Sequence, residues 1–284
     1  MTPEQILERE RNRALPVAVA AFGGIALIVI ATVLSSGAPS IRADPAEYLE
    51  YFPDHRGALL TAQILQGAGT LFLILPLFYL FQAADARSDR MRTALIGITV
   101  AGPLFLGLGA VLQWVGVDAA VPHFGSTPQG KDVDDYARDV LGDQAAYNAS
   151  AGLGFAGSLG LVVGMFYTSL NAMRVGLLTR LWGTLGMALG VSVLLPTSLV
   201  GLVIFFLAIG FLILGIWPGA RPPAWETGEA IPWPKGGEEP QASGGPDSGE
   251  EPALPPGVAD DDQPAEDESP AARQAPRKRK RRSQ

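Results

Sequence analysis

The sequence predicts an all-α integral membrane protein, a bundle of about six transmembrane helices followed by a disordered C-terminal tail. Three observations carry that prediction: long stretches without a charged residue, arginines gathered at alternate ends of those stretches, and an abrupt change of composition after Trp217. The bulk numbers already demand segregation, since 48% of the residues are hydrophobic while the formal net charge is −7.

Charge-free stretches run over 14–41, 57–84, 93–117, 144–173 and 181–220. Each exceeds the ~20 residues that a helix rising 1.5 Å per residue needs to cross ~30 Å of hydrocarbon. A water-facing helix alternates polar with apolar residues along its outer face, and these stretches do not. The last is about twice one crossing long and carries Pro196, Thr197 and Ser198 near its middle, so it divides there. The expected spans are 14–36, 59–82, 93–116, 149–171, 178–195 and 198–217. A single long, kinked helix over 181–217 is the alternative, because proline is tolerated inside membrane helices.

Cytoplasmic loops retain Lys and Arg, and that bias orients the chain. Arg9, Arg11 and Arg13 precede the first span, Arg87, Arg90 and Arg92 lie between the second and third, and Arg174 and Arg180 lie between the fourth and fifth. Both termini are therefore expected on the cytoplasmic side of a cell membrane, which needs an even number of crossings. Residues 1–13 mix Glu with Arg ahead of a long apolar run, the pattern of a signal anchor and not of a short cleavable signal. They read as a helical lead-in to the first span.

In the first outer loop, Asp44-Pro45 opens a short helix with Tyr48, Tyr51 and Phe52, expected to lie on the membrane surface. In the second, Val133, Tyr136, Val140 and Leu141 recur at helical spacing among aspartates, an amphipathic helix capping the bundle. Residues 218–284 are rich in proline, glycine and acidic residues, too poor in apolar content to offset the entropy of folding. They are expected to be a disordered cytoplasmic tail, with Trp217, Trp225 and Trp233 near the headgroups. The tail ends in Arg277, Lys278, Arg279, Lys280, Arg281 and Arg282, a run suited to anionic lipid or to a protein partner in preference to nucleic acid.

No charge lies deep in any expected span. Ion-coupled transport and voltage sensing ordinarily rest on such charges, because an ionisable group in hydrocarbon is costly and is kept for a function. The polar side chains that remain include Gln63, Gln66 and Gln113. The first two share a helix face, either as a ligand surface opposite Gln113 or as interhelical hydrogen bonders. Gly152, Ala156, Gly160 and Gly164 recur at four-residue spacing in the fourth span, and Gly183, Gly186 and Gly190 mark the fifth. Such faces allow close backbone approach, within the bundle or across a homodimer.

There is no cysteine, which removes disulfides and thiolate metal sites. His55 beside Asp54 and His123 near Asp118 lack metal-site spacing. Asp132, Asp134 and Asp135 lack the glycine and glutamate of a calcium loop. No nucleotide, ester-hydrolase or haem motif is present, so no cofactor and no catalytic residue is expected. The aromatic loop before the second helix, Tyr79-Leu80-Phe81, the Arg-rich inner turn and the segment from Arg174 to Gly183 together resemble a bacterial multi-spanning membrane family, domain of unknown function 4386. The resemblance covers residues 14–217, implies the same paired final helices and implies no known activity. The residues themselves favour a non-enzymatic accessory or sensory component whose tail engages lipid or a partner; a carrier for a neutral or lipidic molecule is the alternative.

Overall fold

A computed structural model describes residues 2–88, 91–92, 94–125, 131–195, 198–217 and 221–233, and every regular element among them is helical. The first helix, α1 (Pro3–Leu34), starts on a capping box: Gln5 N–H donates to Thr2 Oγ1 while Thr2 N–H donates to Gln5 Oε1 at 3.1 Å. It runs without a break from the charged lead-in through the first apolar stretch. The next helix, α2 (Pro45–Phe72), differs from expectation, because the helix predicted to lie on the surface is continuous with the second span. Pro53 falls inside it without ending it.

The break comes later, at Leu73, before α3 (Ile74–Asp85). Pro76 explains it: the proline has no N–H to donate, and its ring crowds the carbonyl four residues back, at Phe72. After α3 come α4 (Ala94–Ala120), a 3-10 turn (Val121–His123), α5 (Val133–Gly142) and α6 (Ala145–Arg174). The last elements are α7 (Arg180–Ser192), α8 (Ser198–Leu214) and the single turn α9 (Ala224–Thr227).

Four runs are long and apolar enough to cross a membrane: Pro3–Leu34, Pro45–Asp85, Ala94–His123 and Ala145–Arg174. The predicted fifth and sixth spans are shorter than expected, at 13 residues for α7 and 17 for α8. The turn after α7 covers Val193 to Leu195.

The helices close into a ring in the order α1, α2, α4, α6, α7, α8 and back to α1. Towards one end α3 also meets α1, α4, α6 and α8, and Leu77, Leu80 and Phe81 there are fully buried. A second apolar cluster stands apart from this one. It joins Tyr48, Leu49, Phe52 and Leu59 of α2 to Val117 and Ala120 of α4 and to Ala137, Val140 and Leu141 of α5. The expected amphipathic cap is thus present, with its N-cap Asp132 accepting from Asp134 N–H at 3.0 Å and Asp134 accepting from Ala46 N–H at 3.1 Å.

Glycines set the distances between neighbours. A Cβ on Gly102 would come within 2.5 Å of Leu161 N, one on Gly157 within 2.8 Å of Leu106 N, and one on Gly160 within 2.8 Å of Gly102 Cα. Gly164 approaches Thr99 in the same seam. Gly152 and Ala156 do not join it and are exposed. A four-residue step overshoots a helical turn by about 40°, so the face from 152 to 164 rotates out of any straight contact. The seam instead follows Ser150, Gly157, Gly160 and Gly164. On α7, Gly183, Gly186 and Gly190 are all buried, against Met173, Ser169 and Met165 of α6 respectively.

The seam yields a direct comparison. Gly157→Val should lower stability by about 1–3 kcal/mol through overpacking, whereas Gly152→Val, with open space around it, should stay within about 0.5 kcal/mol. Thermal unfolding of the detergent-solubilised variants measures both.

Candidate functional site

The chain's most polar buried assembly lies where α1 begins and α3 ends. Glu10 and Arg87 belong to segments that the sequence reading treats only as a lead-in and an orientation marker, yet they are 6% and 9% exposed. Arg87 donates both terminal nitrogens to the Glu10 carboxylate, Nη1 to Oε1 and Nη2 to Oε2 at 3.0 Å. This fork-on-carboxylate geometry is available to Arg and not to Lys. The same two nitrogens also donate to Ala83 O at 2.9 Å and Ala224 O at 3.0 Å. Tyr79 adds its hydroxyl to the Glu10 backbone carbonyl at 3.1 Å.

The Ala224 contact belongs to a segment assigned from sequence to the disordered tail. Residues 221–233 are seated on the bundle. Trp225 is buried, stacks on Tyr79 with ring centroids 6.1 Å apart, and donates its indole N–H to Leu177 O at 2.8 Å. The Arg87 and Arg221 guanidinium carbons stand 5.9 and 4.8 Å from its ring centre. Burial lowers the Arg221 pKa from the ordinary arginine value, against the opposing pull of Glu10 and Glu226. Trp233 donates to Leu178 O at 2.8 Å, and Ile231 N–H donates to Val175 O at 3.1 Å.

Two glycines let this strap lie so close. Gly176, at φ 79°, would drive a Cβ into Ile231 O, and Gly228, at φ 73°, would place one 2.7 Å from Pro3 O. Both adopt the left-handed conformation that glycine takes without penalty. The strap therefore ties the start of α1, the end of α3 and the α6–α7 turn into one unit. The indole donors were the available sequence signal, since a Trp N–H needs an acceptor when buried.

The residues singled out from sequence fare differently. Gln63 and Gln66 on α2 and Gln113 on α4 are half-buried, and none makes a hydrogen bond among the described residues. His55 stacks on Tyr51 at 3.7 Å and bonds its carbonyl, and His123 bonds Ala119 O. Asp118 pairs with Arg56 at 2.6 Å. Arg277 to Arg282 lie outside the described residues.

Arg9, Glu10, Arg13, Tyr79, Gln82 and Ala83 line one closely packed surface groove with no room for a water molecule. Another shallow groove lies between α7 and α8 beside Trp182 and Trp217, with about 10 Å³ of accessible space. No family model, no curated protein and no solved structure matches the chain.

The buried pair carries a stability prediction. Arg87→Met should cost about 3–5 kcal/mol because it strands the Glu10 carboxylate, while Glu10→Met with Arg87→Met should recover much of that loss. Apparent Tm in detergent for the single and double variants measures the difference.

Proposed function

We propose that the chain is a six-span, non-enzymatic membrane protein, an accessory or sensory component with both termini cytoplasmic, whose bundle holds a lipid- or partner-binding tail at a fixed point. The observation that carries this reading is the strap: residues 221–233 sit on the Glu10–Arg87 pair and on the α6–α7 turn, so the tail departs from a defined position. A tail that merely kept the protein soluble would need no such seat.

The count of six draws on the geometry of α7 and α8. At 1.5 Å per residue α8 reaches about 26 Å, and α7 with its following turn about 24 Å, against ~30 Å of hydrocarbon that thins around short helices. The resemblance of the layout to the domain of unknown function 4386 family favours the same paired final helices. Sidedness draws on the meeting of the starts of α1 and α7 with the ends of α3 and α6, the arginine-bearing termini, around the strap. An absence of cysteine makes both points testable without background. A maleimide confined to the exterior should label Lys131→Cys and spare Ser88→Cys in intact cells; the reverse pattern defeats the orientation.

Deleting the chain after Trp233 should leave the bundle folded and remove the tail's crosslinks to lipid or protein. Identical crosslinks and localisation with and without the tail would end this reading.

The carrier reading keeps one observation of its own, the three glutamine amides that have no hydrogen-bond partner among the described residues. Gln63→Leu with Gln66→Leu should then abolish uptake of a neutral solute while leaving the fold intact, and unchanged flux counts against it.

A further inference from the structure

We infer that α7 and α8 form a thin flank of the bundle, where the outer leaflet is drawn down to the α7–α8 turn and phospholipid of short acyl chain is the preferred neighbour. The inference rests on the reading that both helices cross the membrane.

The inner ends of the two helices are anchored. Trp182 in the first turn of α7 and Trp217 just after α8 meet edge to face, with ring centroids 5.1 Å apart, and Arg180 opens α7. Indole rings and arginines at a helix end favour the headgroup level. With that end fixed, a shortfall in length falls at the outer end. From there α7 with its turn rises about 24 Å and α8 about 26 Å. The uncharged part of α1, from Ala14 to Leu34, rises about 30 Å, and α4, with 27 residues, about 40 Å. The α7–α8 turn therefore stops about 6 Å below the level that α1 reaches, and tilting α7 or α8 would only deepen the gap.

The turn itself has the chemistry of a segment that meets lipid. Val193, Leu194 and Leu195 include none of the Gly, Asn, Asp or Ser residues that water-facing turns favour. Leu194 and Leu195 are 48% and 58% exposed. Their N–H groups are nonetheless satisfied from within: Val193 donates to Gly190 O and Leu194 to Val191 O, both at 3.2 Å, and Leu195 donates to Ser192 O at 2.8 Å. The Ser192 hydroxyl donates to Leu189 O at 2.7 Å. Backbone in hydrocarbon requires such closure, whereas a turn in water has solvent to bond. Compressing long acyl chains down to this turn costs more with every ångström, so short chains gather here while α4 accepts long ones.

The absence of cysteine lets a single fluorophore report on each flank. Full-length protein carrying a bromine-quenched fluorophore on Val191→Cys, a position 51% exposed on α7, is reconstituted into mixtures of dimyristoleoyl and dibrominated dioleoyl phosphatidylcholine. The short-chain lipid should relieve quenching there about threefold more effectively than at Leu108→Cys, a position 49% exposed on α4. Equal relief at the two positions overturns the inference. A fluorophore on Val191→Cys that brominated lipid does not quench overturns it too, since protein then covers this flank. Ile204→Cys, at a position 44% exposed on α8, decides in the same way should the first variant fail to fold.

An external maleimide should also label Leu195→Cys in dimyristoleoyl vesicles, as it labels Lys131→Cys. An unlabelled Leu195→Cys beside a labelled Lys131→Cys defeats the six-span reading and the inference with it. Labelling at both positions without the lipid preference defeats only the thin flank.

Discussion

Helices surrounded by hydrocarbon gain nothing by hiding apolar side chains from one another, so their association depends on how near their backbones come. In this chain glycine sets that distance. Gly24 meets Gly69 between α1 and α2, Gly67 meets Gly107 between α2 and α4, and the run from Gly102 to Gly116 meets α6. The ring of helices, and with it the inner position of α3, follows from those contacts. Where α3 ends, Arg87 is carried under the start of α1, and the buried ion pair exists because the glycines let the rods approach.

The geometry of that buried pair matters more than its charge. Two ions removed from water lose hydration, and their attraction repays it only when the remaining hydrogen-bonding capacity is met. Here Arg87 reaches two backbone carbonyls as well as the carboxylate, leaving only its Nε without a partner, and the Tyr79 hydroxyl adds a bond to the Glu10 carbonyl. The strap supplies one of those carbonyls and an indole ring beside the guanidinium. The strap is therefore part of what covers the pair.

What the sequence made legible was whatever composition controls. The helical nature of the apolar stretches, the cap over 133–142 and the packing role of Gly183, Gly186 and Gly190 can be read from charge, periodicity and residue size. Three features were hidden, each for a physical reason. The helix over 45–52 looked separate because the charge-free stretch begins only at Gly57, after Asp54 and Arg56, yet one continuous helix runs through those charges. Gly152 and Ala156 looked equivalent to Gly160 and Gly164, although helical rotation carries them to another face. The site was hidden most completely, since Glu10, Arg87 and Trp225 are separated by 77 and 138 residues of chain and only tertiary structure joins them.

The strap is also the last described part of the chain to be made. Ribosomes deliver α1 and α3 long before residues 221–233, so Glu10 and Arg87 are both made before Ala224 and Trp225 exist to cover them. Closure can follow only when α6 and α7 have presented the Leu177 and Leu178 carbonyls that receive the two indoles. A chain cut short before this point lacks the Ala224 carbonyl and the Trp225 ring that cover the pair, and a finished one has both.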